Sequence, residues 1–156
     1  ILPTSIESSL QFNQVMDSEG KLHDAHMVMS DQGAVAGPDL CILYVPSIKK
    51  KGVKVSVRKP RAGDRIYYIG SPAGVYHPPV APILGGIFSG KIDESSAMIT
   101  APAVGGSSGS AILNDENKII GVLWAAHPKF HHVSLMSNFE SFQKFIKQAK
   151  KLADSI

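Results

Sequence analysis

Gly105-Gly106-Ser107-Ser108-Gly109-Ser110 is the stretch on which the reading of this chain turns. It lies between two apolar, strand-like runs, residues 96–101 and 111–114. Glycines this dense around serines form a tight turn whose backbone comes close to something. Such a turn can hold a serine hydroxyl up for nucleophilic attack while neighbouring backbone N–H groups gather the developing oxyanion. The same residues also suit a plain hairpin turn or a flexible linker, so the rest of the chain must decide.

Outward from that turn, short strand-like runs follow one another at even spacing. Residues 65–69, 82–92, 96–101, 110–113, 118–125 and 131–136 give six strands, the number for a closed six-stranded barrel. Gly85-Gly86 interrupts the second of them and predicts a bulge there. Upstream, residues 10–16, 23–29 and 40–45 make only three strands, with Asp17-Ser18-Glu19-Gly20 as a hairpin turn. The unbroken apolar run at 40–45 implies burial on both faces. Three strands leave open edges and an unfilled core, so another element covers them or the first barrel lacks its beginning. The organisation expected is therefore all-β: 1–46 a partial N-terminal barrel, 47–61 a basic connector, 62–136 the C-terminal barrel and 137–156 a C-terminal helix. The helix opens on Ser137-Asn138-Phe139-Glu140, which reads as a capping box. Its apolar stripe, Phe139, Phe142, Phe145, Ile146, Ala149 and Leu152, predicts docking onto the barrel rather than onto a membrane surface.

Composition narrows the function classes. A single cysteine, Cys41, rules out an internal disulfide and favours an intracellular setting, the host cytoplasm for a viral chain. No apolar run reaches the roughly 20 residues of a membrane span. The net charge of +3 is mild, and its lysine and arginine clusters lack interleaved aromatics, which argues against nucleic acid. No His, Cys, Asp and Glu cluster has metal-ligand spacing, so neither metal nor cofactor is expected.

Several motifs in order carry a family resemblance. Asp17–Gly20 with Ala25, Val28 and Asp31, then Asp39-Leu40-Cys41-Ile42-Leu43, is similar to the turn, strand and "D-L-A-V-L" run of chymotrypsin-fold serine proteases. Gly63-Asp64 through Ile69-Gly70-Ser71-Pro72-Ala73-Gly74 resembles the opening of their second barrel, and Gly86-Ile87-Phe88-Ser89-Gly90 the strand after it. Ile99-Thr100-Ala101-Pro102, the 105–110 turn and Gly121-Val122-Leu123-Trp124-Ala125 resemble the approach to the nucleophile, the nucleophile turn and the strand lining the cleft. The disulfide-free HtrA proteases and the serine proteases of positive-strand RNA viruses are the nearest in pattern.

The resemblance implies a serine endopeptidase working through an acyl-enzyme on Ser108, with a viral polyprotein as one conceivable substrate. Asp39 then orients the base, and the Gly106 and Ser108 N–H groups form the oxyanion hole. Ala103, Leu123, Trp124, Ala125 and His132 are the expected substrate-binding residues, for a polypeptide bound extended beside the cleft strand. The base departs from the family pattern. The window in which the family carries its histidine, Ile1 to Ser9, has none, and His23 and His26 lie too near Asp39. Ile1-Leu2 reads as the pair that follows a catalytic histidine, which places the base upstream, in a missing segment that also completes the first barrel, unless another chain completes it. The alternative is a catalytically dead protease-like domain that binds peptides or proteins or serves as a structural module.

Overall fold

A computed structural model of the chain describes residues 13–31 and 39–153. Six strands close into a barrel in the order β4-β5-β6-β9-β8-β7, and three more form a separate antiparallel sheet, β1-β2-β3. The barrel strands are β4 (Arg65–Ile69), β5 (Ile83–Lys91), β6 (Ser96–Ile99), β7 (Ala111–Asn114), β8 (Ile119–Ala126) and β9 (Ser134–Ser137). The sheet strands are β1 (Asn13–Met16), β2 (Leu22–Ser30) and β3 (Cys41–Tyr44). The chymotrypsin-type expectation therefore holds in its closed barrel and C-terminal helix. Among the described residues the first lobe is a three-stranded sheet and not a second barrel.

The barrel forms because its strands alternate. In β4, Ile66 and Tyr68 face inward while Arg65 and Ile69 face water, the period of two that a half-buried strand imposes. Ile66, Tyr68, Phe88, Ala97, Ile99, Ile112, Ile120, Leu123 and Met136 fill the interior. Asn114, itself buried, accepts from the Glu116 and Lys118 N–H groups and donates to Ser56 Oγ, which fixes the β7–β8 turn and ties the connector to it. The connector's extended piece contributes one parallel bridge, Val55 to Ile119.

Three sequence expectations are corrected here. The bulge in β5 falls between Phe88 and Gly90, where the pairing with β6 slips, while Gly85 and Gly86 pair regularly with Tyr67 and Ile66. Gly86 is there for a different reason: a Cβ would stand 2.6 Å from the Thr100 carbonyl oxygen. Strand β3 is not buried on both faces, since Cys41 and Tyr44 are exposed at its ends and Ile42 and Leu43 half-buried. A three-stranded sheet has too few neighbours to cover both sides. The capping box is not made either: Ser137 Oγ accepts the Val122 N–H at 2.9 Å, and the Glu140 carboxylate pairs with Lys59. The strand expected at 10–16 is seen over its described part, residues 10–12 lying outside the described residues.

The helix, α1 (Phe139–Ala153), joins the two lobes. Phe139 enters the barrel core. Phe142 and Phe145 pack with Leu40 from the first lobe, against half-buried Met29 and Ile42 on one side and Ile119 and Val122 of the barrel on the other. Burial of two phenylalanines at this junction contributes several kcal/mol. Phe142→Ala is expected to cost about 3–5 kcal/mol, read as a drop of about 10 °C in thermal unfolding. An unchanged midpoint would show that the helix does not bind the lobes together.

The β1–β2 turn is held from within. Asp17 Oδ1 accepts the Glu19 and Lys21 N–H groups, and Asp17 Oδ2 meets His23 Nε2 at 2.9 Å. These bonds, the one from His23 first, lower the Asp17 pKa from 3.8 to about 2. A carboxyl group with a depressed folded-state pKa stabilises fully above its unfolded value, and that stabilisation is lost as pH falls through the folded one. Thermal unfolding followed from pH 5 to pH 2 is expected to show a decline below about pH 4 that Asp17→Asn flattens.

Candidate active site

The 105–110 turn is built by two left-handed glycines. Gly106 (φ +92°) and Gly109 (φ +89°) bracket Ser107 and Ser108. Position 106 tolerates no side chain, because a Cβ there would lie 2.5 Å from the Ser71 carbonyl oxygen. That carbonyl belongs to the loop after β4, where Pro72–Gly74 form one turn of 3-10 helix and Ala73 is left-handed at φ +52°. The Ala73 N–H donates to the Gly105 carbonyl oxygen at 2.7 Å, so the loop and the nucleophile turn are locked together. The sequence marked 70–74 as a turn but gave no sign that it props up 105–106. Only the close approach of two segments distant in the chain reveals that.

The two central serines have different environments. Ser107 is 1% exposed, its Oγ accepting the Val104 N–H at 3.3 Å and standing 3.3 Å from Tyr68 Oη. Tyr68 itself donates to the Pro102 carbonyl oxygen at 2.6 Å. Ser107 is thus part of the barrel's internal scaffold. Ser108 is exposed, and its Oγ donates to the Trp124 carbonyl oxygen at 3.1 Å. Gly109 N–H donates to Leu123 O and Leu123 N–H to Ser110 O, at 2.8 and 2.9 Å, stitching the turn to β8. No backbone carbonyl of the described residues takes the Gly106 or the Ser108 N–H. Two free donors beside an exposed hydroxyl are what an oxyanion hole requires.

The remaining expected site residues are placed as follows. The side chains of Ala103 and Leu123 lie in the barrel core, leaving only their backbone to the surface. Trp124 and Ala125 are half-buried on β8, and the Trp124 Nε1 is buried without a hydrogen-bond partner among the described residues. His132 is exposed on the β8–β9 loop, its ring edge-on to Phe130 with centroids 5.6 Å apart. Asp39 is exposed and left-handed at φ +51°, directly before the buried Leu40. Asp31, which the sequence reading used only as a motif position, takes the Leu40 N–H on Oδ1 at 2.5 Å, while its Oδ2 is buried without a hydrogen-bond partner among the described residues. Ser108 Oγ meets the Trp124 carbonyl. His23 is unsuited to serve it, since Asp17 and Ser47 occupy both of its ring nitrogens. Among the described residues, no group of three or more His, Cys, Asp or Glu side chains could hold a metal ion, and no helix is long and apolar enough to cross a membrane.

The lobes also touch near this site. Tyr76, just beyond the prop loop, donates from Oη to the Ser18 carbonyl oxygen of the β1–β2 turn at 3.2 Å.

A closed six-stranded barrel that presents an exposed serine on a double-glycine turn is the arrangement of a serine peptidase domain. The chain belongs to the trypsin-like peptidase domain family, whose model matches residues 3–122. No curated protein sequence matches it. Among solved structures it is similar to the serine endoprotease from Yersinia pestis, with a TM-score of 0.73 and 20% identity over 87% of this chain and 47% of that one. It is also similar to a protease from M. tuberculosis in its active form, with a TM-score of 0.69 and 16% identity over 80% of this chain and 58% of that one. At such identities the likeness concerns the fold. The chain spans only 47–58% of the length of these two structures. Nothing in these similarities supports viral polyprotein processing.

Proposed function

We infer that this chain is the catalytic domain of a serine endopeptidase whose nucleophile is Ser108. The observation that carries the reading is the contrast within the turn: Ser107 is sealed into the core while Ser108 is exposed beside two N–H groups that no backbone carbonyl of the described residues takes. In this mechanism Ser108 Oγ attacks the scissile carbonyl, and the Gly106 and Ser108 N–H groups bind the oxyanion. The intermediate collapses, the peptide C–N bond breaks and the amine leaves with the proton that the imidazole returns, and water then hydrolyses the acyl ester to free Ser108. Asp39 orients the imidazole that takes the serine proton. The substrate runs extended along residues 124–126, where the Trp124 carbonyl already meets Ser108 and would bond to a peptide N–H.

Labelling the full gene product with a fluorophosphonate, which reacts with an activated serine, tests the reading. Labelling on Ser108, lost in Ser108→Ala, is the expected result. A second reading is favoured by one observation, that the Ser108 hydroxyl donates its proton to the Trp124 carbonyl. On that reading the domain keeps the protease shape to bind peptides or proteins, and Ser108 stays unlabelled.

A further inference from the structure

A second serine meets an imidazole in the first lobe, well apart in sequence from the nucleophile turn. His23 on β2 is 7% exposed. Its Nε2 lies 2.9 Å from Asp17 Oδ2 and its Nδ1 2.7 Å from Ser47 Oγ. The three side chains come from the β1–β2 turn, from β2 and from the turn after β3, so the fold assembles them.

Their protonation states follow from the partners. Asp17, held down to about 2 chiefly by the bond from His23, is a carboxylate at neutral pH and can only accept. In the tautomer that donates to this carboxylate, the ring carries its hydrogen on Nε2 and turns a bare Nδ1 lone pair toward Ser47, whose hydroxyl then donates. That tautomer is the one a general base needs, with a nucleophile on one nitrogen and an orienting acid on the other. Ser47 is exposed on a turn closed by the Ile48 N–H to the Val45 carbonyl oxygen at 3.2 Å. Pro46 before it has no N–H, so this turn offers less to a developing oxyanion than 105–110 does.

We propose that Ser47 is a second nucleophilic serine, with His23 as its base and Asp17 orienting the ring, and that it accepts acyl groups from activated esters. This assignment is independent of Ser108. Ser47 Oγ bonds to the ester carbonyl carbon and its proton passes to His23 Nδ1. The bond from that carbon to the leaving oxygen breaks, and the leaving group departs as its anion. The product is an acyl ester on Ser47, and the imidazolium returns its proton to solvent. Weak oxyanion support limits the reaction to good leaving groups and leaves peptide bonds intact.

Acetylation of the full gene product by p-nitrophenyl acetate, followed by tryptic mass mapping, tests this. Ser47 falls on peptide 22–49 and Ser108 on peptide 92–118, so the two sites report separately. Acetyl on Ser47 is expected in the wild type and in Ser108→Ala, absent in Ser47→Ala, and formed about a hundredfold more slowly in His23→Gln. Asp17→Asn, which keeps the ring but removes the tautomer's anchor, is expected to slow it at least tenfold and decides the matter should His23→Gln not fold. No acetyl on Ser47, or a rate unchanged in the variants that fold, would overturn the proposal and leave the three residues as a structural clip.

Discussion

Ser108→Ala is expected to lower kcat for peptide hydrolysis by about ten-thousandfold or more while leaving thermal stability close to that of the parent. The hydroxyl is exposed and makes one bond, to the Trp124 carbonyl, so its removal empties no core site. Ser107→Ala is the opposite case. Its hydroxyl is buried between the Val104 N–H and Tyr68 Oη, and deleting it leaves polar groups in the interior with less to bond. A loss of about 1–3 kcal/mol with most activity kept is the expected outcome. Kinetics and unfolding on the two variants together separate the roles, and the reverse pattern would move the nucleophile to Ser107.

The second large effect is expected at Gly106. Gly106→Ala puts a Cβ 2.5 Å from the Ser71 carbonyl oxygen, with the Ala73 and Gly74 nitrogens at 3.4 Å, on a backbone at φ +92°. No contact in that set is a flexible side-chain end, so the turn itself must shift, and with it the N–H that the proposed mechanism assigns to the oxyanion. Losing one such donor costs about a hundred- to a thousandfold in kcat. Gly109→Ala is the control: φ is similar at +89°, but nothing lies within 4 Å of its Cβ. It carries the conformational strain without the collision, and is expected to destabilise by about 1–3 kcal/mol and spare most of kcat. Equal kcat losses in the two variants would mean that strain alone, and not the displaced Gly106 N–H, accounts for the effect.

Much of this protein was legible in its sequence because local rules were sufficient. Alternation in Arg65–Ile69, the glycines around Ser107 and Ser108 and the apolar stripe of the C-terminal helix each specify an element from a few neighbouring residues. The order of those elements was enough to name the fold. Where prediction went astray, a distant partner had overridden a local signal. Gly85-Gly86 looked like a bulge, yet Gly86 answers to the approach of Thr100, and the slip occurs beyond Phe88. Ser137 looked like a helix cap, yet Val122 on the neighbouring strand claims its hydroxyl.

The sequence by itself determined the strands, the barrel, the helix and the identity of the turn that carries Ser108. It could not say which serine of that turn is exposed, because Ser107 and Ser108 are chemically the same and only barrel closure puts Tyr68 beside one of them. Nor could it show that Ser71 and Ala73 brace the turn at Gly105 and Gly106, or that Asp17, His23 and Ser47 converge. Such contacts join residues far apart in the chain. Pairing register and packing bring them together, and no local pattern encodes either.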